Sequence, residues 1–490
     1  MIKADRANNR SMNSSPDSTP SINTPLPIQL LEFIKQHKVE IIAFILVVLL
    51  SGFLRFQYVS KVIVDTPIRA DARTYVLHSW NLVKHGVFSG ETTADPAPDD
   101  HVPPLYPIIL APFISSAKTT NDLVQNILLM NAWLSLLTVV LFYFLVRMEW
   151  GKIPAVVSGL LLGAAPHIIS MAGYILSETP YILLIVMLFA AIRISFKFDR
   201  WPVYFITGLL SAMCLMIRPV FLLTVPAIFL VYALDHSRQQ RKVVTALGAF
   251  ALGFALLYSP WVIRNMNLPG STGNGSSSTV NVTLGMGLYP DLTYKNPRLK
   301  GYPYRDDPRW EEITSSYGSI IDEFSRRLAE DPLEYLWWYT YGKVRMLWSW
   351  DIQVGQGDIY VYPVVYTPYK DSVLLKSTYR VWKILYIPLI LLSLGSIIIY
   401  FWRKTYRQPD QLMNYVYAFL LSTTVLHMVT VGLPRHSIPL RPFLIFTAMW
   451  TLVTLSSRWK PAGNINNAGA PEQLSEQTKS GAGKKRKKRG

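Results

Sequence analysis

The sequence predicts an all-α polytopic membrane protein with about ten transmembrane helices, juxtamembrane helices and a small extracytoplasmic layer. Three observations carry that expectation. Half of the 490 residues are hydrophobic and only 16% are charged, well below the roughly 25% of a soluble domain. The apolar residues fall in repeated blocks of about 20, long enough at 1.5 Å per residue to cross the hydrocarbon of a bilayer. Lys and Arg, 48 against 31 Asp and Glu, gather in alternate connections between those blocks, as the positive-inside rule requires.

Residues 1–38 read as a cytoplasmic tail. Up to about residue 25 it is Ser, Asn, Pro and Asp without an apolar period, too little burial to offset chain entropy; Leu26 to Lys38 then reads as an interfacial helix. The first span, Glu40 to Tyr58, starts too far in and is too long for a cleavable signal. Further spans are expected at Leu123–Val146, Ile153–Tyr174, Glu178–Phe196, Val203–Ile217, Val220–Leu234, Val243–Ile263, Val381–Trp402, Met413–Val431 and Ile438–Leu455. The two around Arg218-Pro219 are short and read as a tight hairpin. This divides the chain into an N-terminal transmembrane module at 39–263 with an outer loop at 60–105, an extracytoplasmic segment at 264–378, C-terminal transmembrane helices at 379–457 and a basic tail at 458–490.

Arg147, Lys152, Lys197, Arg200, Arg238, Arg241, Lys242, Arg403, Lys404 and Arg407 fall in connections on one side, which is thereby the cytoplasmic side. Six charges of the net +17 lie in the run Lys484 to Arg489, a solvated, lipid-attracted tail, so basicity does not call for nucleic acid. The single Cys214 excludes a disulfide framework and any multi-cysteine metal site. No phosphate-binding loop or dinucleotide glycine pattern occurs, so no nucleotide cofactor is expected. In the outer segment, Ile320–Ala329 and Pro332–Trp350 have helical spacing, and Trp337, Trp338, Tyr341 and Trp348 fit a membrane interface, with sugar stacking or lipid contact as the alternative. Asn274 and Asn281 open sequons.

The outward connections hold the candidate chemistry. Asp71, just beyond the first span, is either a helix-start charge or a general base at the membrane edge. Arg218 lies between two apolar half-spans, where a charge costs about 2.5–3.5 kcal/mol at bilayer depth, so it snorkels or meets an anion. Arg264, Arg435 and His436 break the charge rule on the outer side, which fits a phosphate held by planar guanidinium donors or by contact with lipid headgroups. Glu178, after Ser177, either complements a capped helix start or turns in beside Asp71 as a second acid. With His101 the two acids make a candidate divalent-metal set, Asp71, His101 and Glu178.

The order of these pieces carries a resemblance. Asp71 follows the first span, with Tyr75 four residues later, Gly86-Val87-Phe88-Ser89 and then Pro104-Leu105-Tyr106-Pro107. Ser177-Glu178-Thr179 opens the fourth span, Ser259 to Asn265 (SPWVIRN) closes the span before the large outer segment, and Arg435-His436-Ser437-Ile438-Pro439 opens the last. Over roughly residues 40–456 this resembles the GT-C membrane glycosyltransferases that use polyprenyl-phosphate sugars, the branch of the protein O-mannosyltransferases and the lipid A aminoarabinose transferases. The resemblance implies a GT-C-like bundle with its active site on the extracytoplasmic face, in a bacterial inner (plasma) membrane or a eukaryotic reticulum, between which sidedness does not choose. It implies inverting transfer of a hexose or pentose from a polyprenyl-phosphate donor to a lipid, glycan or protein acceptor. Asp71 and Glu178 would be catalytic, and Arg218, Arg264, Arg435, His436 and Tyr75 would hold the donor. Protein O-mannosyltransferases carry Asp-Glu where this chain has Asp71-Ala72, which puts a protein hydroxyl acceptor in question. A transporter or lipid flippase, and an O-antigen ligase or polymerase using a diphosphate carrier, are the competing readings.

Overall fold

A computed structural model describes residues 26–235, 240–268, 277–296, 298, 301–352, 357–406 and 410–458. These fold as an all-α bundle with two very short antiparallel strand pairs. The helices are α1 (Leu26–Val59), α2 (Ala70–His85), α3 (Leu105–Ser116), α4 (Thr120–Trp150), α5 (Lys152–Gly163), α6 (Pro166–Met171), α7 (Glu178–Lys197), α8 (Trp201–Ile217), α9 (Thr224–Asp235) and α10 (Gln240–Met266). Across the polar segment come α11 (Ser277–Met286), α12 (Trp310–Ile313), α13 (Tyr317–Glu330), α14 (Pro332–Trp337) and α15 (Lys343–Leu347). The chain then closes with α16 (Val373–Tyr406), α17 (Gln411–Val429) and α18 (Arg441–Arg458).

Among the described residues, seven helical stretches are long and apolar enough to cross a membrane: in α1, α4, α7, α10, α16, α17, and α18 with the turn before it. Four shorter apolar helices, Leu105–Ser116, Lys152–Gly163, Trp201–Ile217 and Pro219–Leu234, complete the bundle. Two expected boundaries change. The block Ile153–Tyr174 divides into α5 and α6 because Pro166, which has no N–H to donate, takes the first position of a new helix. The interfacial piece Leu26–Lys38 is not separate from the first span, because α1 runs through both without a break. Most of the Gly/Ser stretch after Gly270, Asn274 and both chain tails lie outside the described residues; Asn281 is buried.

Burial separates central from peripheral helices. The apolar windows of Glu178–Lys197 and Pro434–Ser456 are 72% and 83% buried, against 17% for Arg241–Met266 and 22% for Val373–Trp402. The first two therefore run through the interior, and the others present Leu252, Leu256, Ile384 and Leu391 outward, as lipid-facing helices do. Elements leading into the central helices carry Glu178 and Arg435 inward with them.

Close contacts are made by small residues. A Cβ on Gly208 of α8 would strike the Phe250 backbone, and one on Gly253 of α10 would strike the Phe205 backbone, so this reciprocal glycine pair lets the two helices touch main chain to main chain. Arg55 of α1 is fully buried, yet it donates to Ser135 Oγ at 2.8 Å, to the Ser51 carbonyl at 3.0 Å and to the Gly163 carbonyl at 2.8 Å. Those oxygens satisfy a cation that hydrocarbon would reject, and they tie α1 to α4 and α5.

Leu288, Tyr289, Ile313, Ile320 and Trp338 of the polar segment form a small core that takes in Val431 from beyond α17. Glu323 is clamped there by Arg309, Arg326 and Arg327. Lys343 anchors this layer to the bundle: its buried ammonium donates to the Met428 and Thr430 carbonyls at 2.9 and 2.7 Å and lies 3.5 Å from the Tyr339 ring centre. Burial pulls it down to about 7.

Candidate active site

Four expected residues meet at one end of the bundle. Asp71 is the second residue of α2, directly after Ala70, whose φ of 43° is uncommon for a residue other than glycine. Such a conformation costs about 1–3 kcal/mol and persists where surrounding structure enforces it. Arg435, in the 3-10 turn Pro434–Leu440 before α18, donates from Nη2 to Asp71 Oδ2 at 2.7 Å. Its Nε donates to Glu178 Oε1 at the start of α7. Arg218, in the break between α8 and the 3-10 turn Pro219–Leu223, places Nη1 3.2 Å from that same oxygen. This last pair is close enough for an ion pair, but its alignment is not that of a hydrogen bond.

The result is a line of alternating charge, Asp71, Arg435, Glu178, Arg218, drawn from four separate parts of the sequence. Its members differ in access: the Glu178 side chain is fully buried, Arg435 and Arg218 nearly so, whereas Asp71 is 48% exposed. Asp71 is thus the member that an incoming group can reach. Ser177 makes no capping bond to α7; its hydroxyl instead lies 3.5 Å from the Tyr75 hydroxyl. Tyr75 packs edge-on against the buried Tyr106 of α3, centroids 5.0 Å apart, so one turn of α2 carries Asp71 and the aromatic wall behind it.

Arg264 stands elsewhere. It donates to the Asp99 carbonyl at 2.6 Å and the Phe88 carbonyl at 3.1 Å, and lies over the Trp261 ring at 4.9 Å. Phe88 meets Trp261 edge-on at 5.2 Å, so the Gly-x-Phe-Ser turn and the end of α10 hold each other. The structure brings Arg264 to the loop backbone and not to the acid pair. Asp99, which sequence reasoning passed over, completes this anchoring: its carboxylate meets His78 Nε2 at 2.8 Å and accepts from the Gly90 N–H at 2.7 Å. Burial alone would raise it, but the hydrogen bonds from His78, Gly90 and His101 outweigh that and hold it down at about 2.

His101 also fails to join the acids; its backbone N–H donates to Asp99 and its exposed side chain borders a cavity. Among the described residues no three His, Cys, Asp or Glu side chains converge to hold an ion, and Asp71 and Glu178 are both engaged by Arg435. That cavity, about 430 Å³, is lined by Arg218, the Pro219 turn, Tyr258, Trp261, Leu426 and Leu440. Its walls are mostly apolar, with Asp100, His101 and Arg218 among the polar members. His436 is in this lining, stacked on His427 of α17. His427 had offered no signal beyond a lone His in an apolar span.

Comparison with known proteins bears on this arrangement. Residues 101–263 match the family model described as dolichyl-phosphate-mannose-protein mannosyltransferase. The chain also resembles the archaeal oligosaccharyltransferase AglB from Archaeoglobus fulgidus, solved with an inhibitory peptide and a dolichol-phosphate, with a TM-score of 0.52, 14% identity, and coverage of 86% of this chain and 50% of that one. The Archaeoglobus fulgidus oligosaccharyltransferase tethered to an acceptor peptide gives a TM-score of 0.51 at 11% identity, covering 87% and 50%. ArnT from Cupriavidus metallidurans, bound to undecaprenyl phosphate, gives 0.36 at 14% identity, covering 81% and 78%; the fold likeness rests on the oligosaccharyltransferases. The chain spans about half the length of those enzymes. No match was found among curated proteins. The chain therefore shares its fold with about half of the archaeal oligosaccharyltransferase.

Proposed function

We propose that the protein is a membrane glycosyltransferase that moves a sugar from a polyprenyl-phosphate carrier to an acceptor hydroxyl. The observation that carries this reading is the placement of a half-exposed carboxylate, Asp71, at one end of a charge line whose other end, Arg218, opens on an apolar cavity. An apolar cavity suits a polyprenyl chain, and a guanidinium in its wall suits the phosphate.

In the reaction, the acceptor oxygen gives its proton to Asp71 and attacks the anomeric carbon. The bond from that carbon to the phosphate oxygen breaks from the opposite side, and its electron pair leaves on the phosphate. Arg435 orients Asp71 through the Nη2 bond, and Arg218 faces the charge that develops on the departing phosphate. Glu178 fixes both guanidinium groups from beneath. Attack from the opposite face gives inversion.

The charge distribution of the connections supports an extracytoplasmic site, since the basic connections lie at the other end of the bundle. The matched family and the dolichol-phosphate bound by AglB support a monophosphate carrier. The test uses the full chain in nanodiscs, supplied with polyprenyl-monophosphate and polyprenyl-diphosphate sugars, with released carrier identified by mass spectrometry. Release of monophosphate that falls at least about 100-fold in Asp71→Asn is the expected result. Release of diphosphate, or cargo movement without a new glycosidic bond, would replace this reading with a ligase or a transporter.

A further inference from the structure

The end of α17 is held from the outer layer. A helix leaves its last carbonyls without intrahelical partners, and α17 closes at Val429 with Thr430 as its cap. Lys343, the first residue of α15, supplies two of the missing hydrogens: its Nζ donates to the Met428 carbonyl at 2.9 Å and to the Thr430 carbonyl at 2.7 Å. A cation in this place also meets the negative end of the helix dipole. An ammonium carries three hydrogens and an amine two, so either form of Lys343 makes both bonds.

Two glycines tighten the same junction. A Cβ on Gly287 would strike the Thr430 carbonyl oxygen, and one on Gly432 would come within 2.9 Å of the Lys343 carbonyl oxygen. Val431 is buried in the outer core with Leu288 and Trp338, and Leu433 packs against that core. The stretch gripped in this way is also part of the cavity wall, because Leu426, Thr430 and Val431 belong to its lining. Arg435 follows shortly after, but Asp71 and Glu178 hold it independently. Slackening the end of α17 therefore moves the wall more than the charge line, and its effect falls on lipid binding.

We propose that Lys343 is a positioning residue for the donor: by holding the end of α17 through the Met428 and Thr430 carbonyls, it sets the wall against which the carrier lipid packs. This rests on the carrier-lipid reading above and adds to it a way for the outer layer to control donor affinity. Lys343 lies outside the cavity lining, and its Nζ is spent on the two carbonyls and the Tyr339 ring, so it acts through α17 and not on the lipid.

The test measures binding of undecaprenyl phosphate to the full chain in nanodiscs, well below the melting temperature of each variant. Lys343→Met, which keeps the length and loses the donors, is expected to weaken binding by about three- to ten-fold. Gly287→Ala, which pushes on the Thr430 carbonyl, should do the same, while Lys343→Arg, which keeps N–H donors, recovers most of the loss. Glu323→Gln loosens the arginine clamp elsewhere in the outer layer; it should lower the melting temperature and leave binding within about two-fold. Wild-type binding by Lys343→Met would overturn the proposal. Equal losses in Lys343→Met and Lys343→Arg, or in Lys343→Met and Glu323→Gln, would overturn it too, by making the effect one of general stability. If wild-type binding is absent or is unchanged in Arg218→Gln, it is the carrier reading that falls. The hold on α17 is then judged by hydrogen exchange in residues 426–433, which supports it if faster in Lys343→Met alone and overturns it if equal in all variants.

Discussion

Asp71 and Arg435 share one ion pair, yet their burial predicts opposite consequences of mutation. Asp71 is half exposed, so Asp71→Asn leaves Arg435 paired with Glu178, and the melting temperature in detergent should move by no more than a degree or two while turnover is lost. Arg435→Met instead leaves the buried Glu178 with only the misaligned Arg218 beside it. Removing one partner of a buried pair costs up to about 3–5 kcal/mol, so this variant is expected to unfold earlier and to lose activity with its fold. Equal thermal shifts in the two variants would contradict the burial difference. The sequence singled out Asp71, Glu178, Arg218 and Arg435 one at a time, each as a polar residue out of place in an apolar setting. Their mutual contact was not legible, because residues 71 and 435 meet only through the packing of helices far apart in the chain. Arg264 shows the reverse limit: a guanidinium at a helix end reads the same from sequence whether it faces a phosphate or, as here, two backbone carbonyls.

At the level of the element, the loop from α2 to α3 is held by Arg264 and by the Asp99 carboxylate. Asp99 is held at about 2, below its ordinary value of 3.8. A carboxylate lowered on folding stabilises the folded loop above about pH 4, and this contribution is lost as the pH falls toward 2. Hydrogen-exchange protection in residues 86–104, taken relative to the intrinsic rate at each pH, should therefore fall over that window in wild type. Asp99→Asn should exchange fast already at pH 7 and flatten the dependence; an unchanged profile in the variant would remove Asp99 from this role. Between α8 and α10, Gly253→Val has no room beside the Phe205 carbonyl and is expected to destabilise by at least about 1–3 kcal/mol, read as a lowered melting temperature. The long spans were legible as elements because their apolar runs exceed 18 residues. The 12-residue α3 and the split of α5 from α6 were less so, since a short apolar run ending at a proline carries little period.

For the whole molecule, the arrangement of ends can be checked directly. Cys214 is buried, so a single introduced cysteine reports its own side of the membrane. Thr92→Cys, in the loop beside the charge line, should react with an impermeant maleimide added to intact cells, and Arg200→Cys, at the far end of α7, should react only after permeabilisation. The opposite labelling would invert the topology and place the candidate chemistry on the cytoplasmic side. Lys and Arg alone supply the expected sidedness, which this labelling tests; the inward position of α7 and α18 was not legible, because both are as apolar as the lipid-facing helices around them.

The guanidinium in the wall of the apolar cavity has a consequence for turnover. Under the proposed chemistry the donor is a phosphodiester with one negative charge, and the spent carrier is a monoester with about 1.5 to 2. Arg218 therefore attracts what leaves more strongly than what arrives, and the apolar walls grip both equally. Free polyprenyl phosphate is then expected to act as a competitive inhibitor, read as product inhibition that weakens in Arg218→Gln.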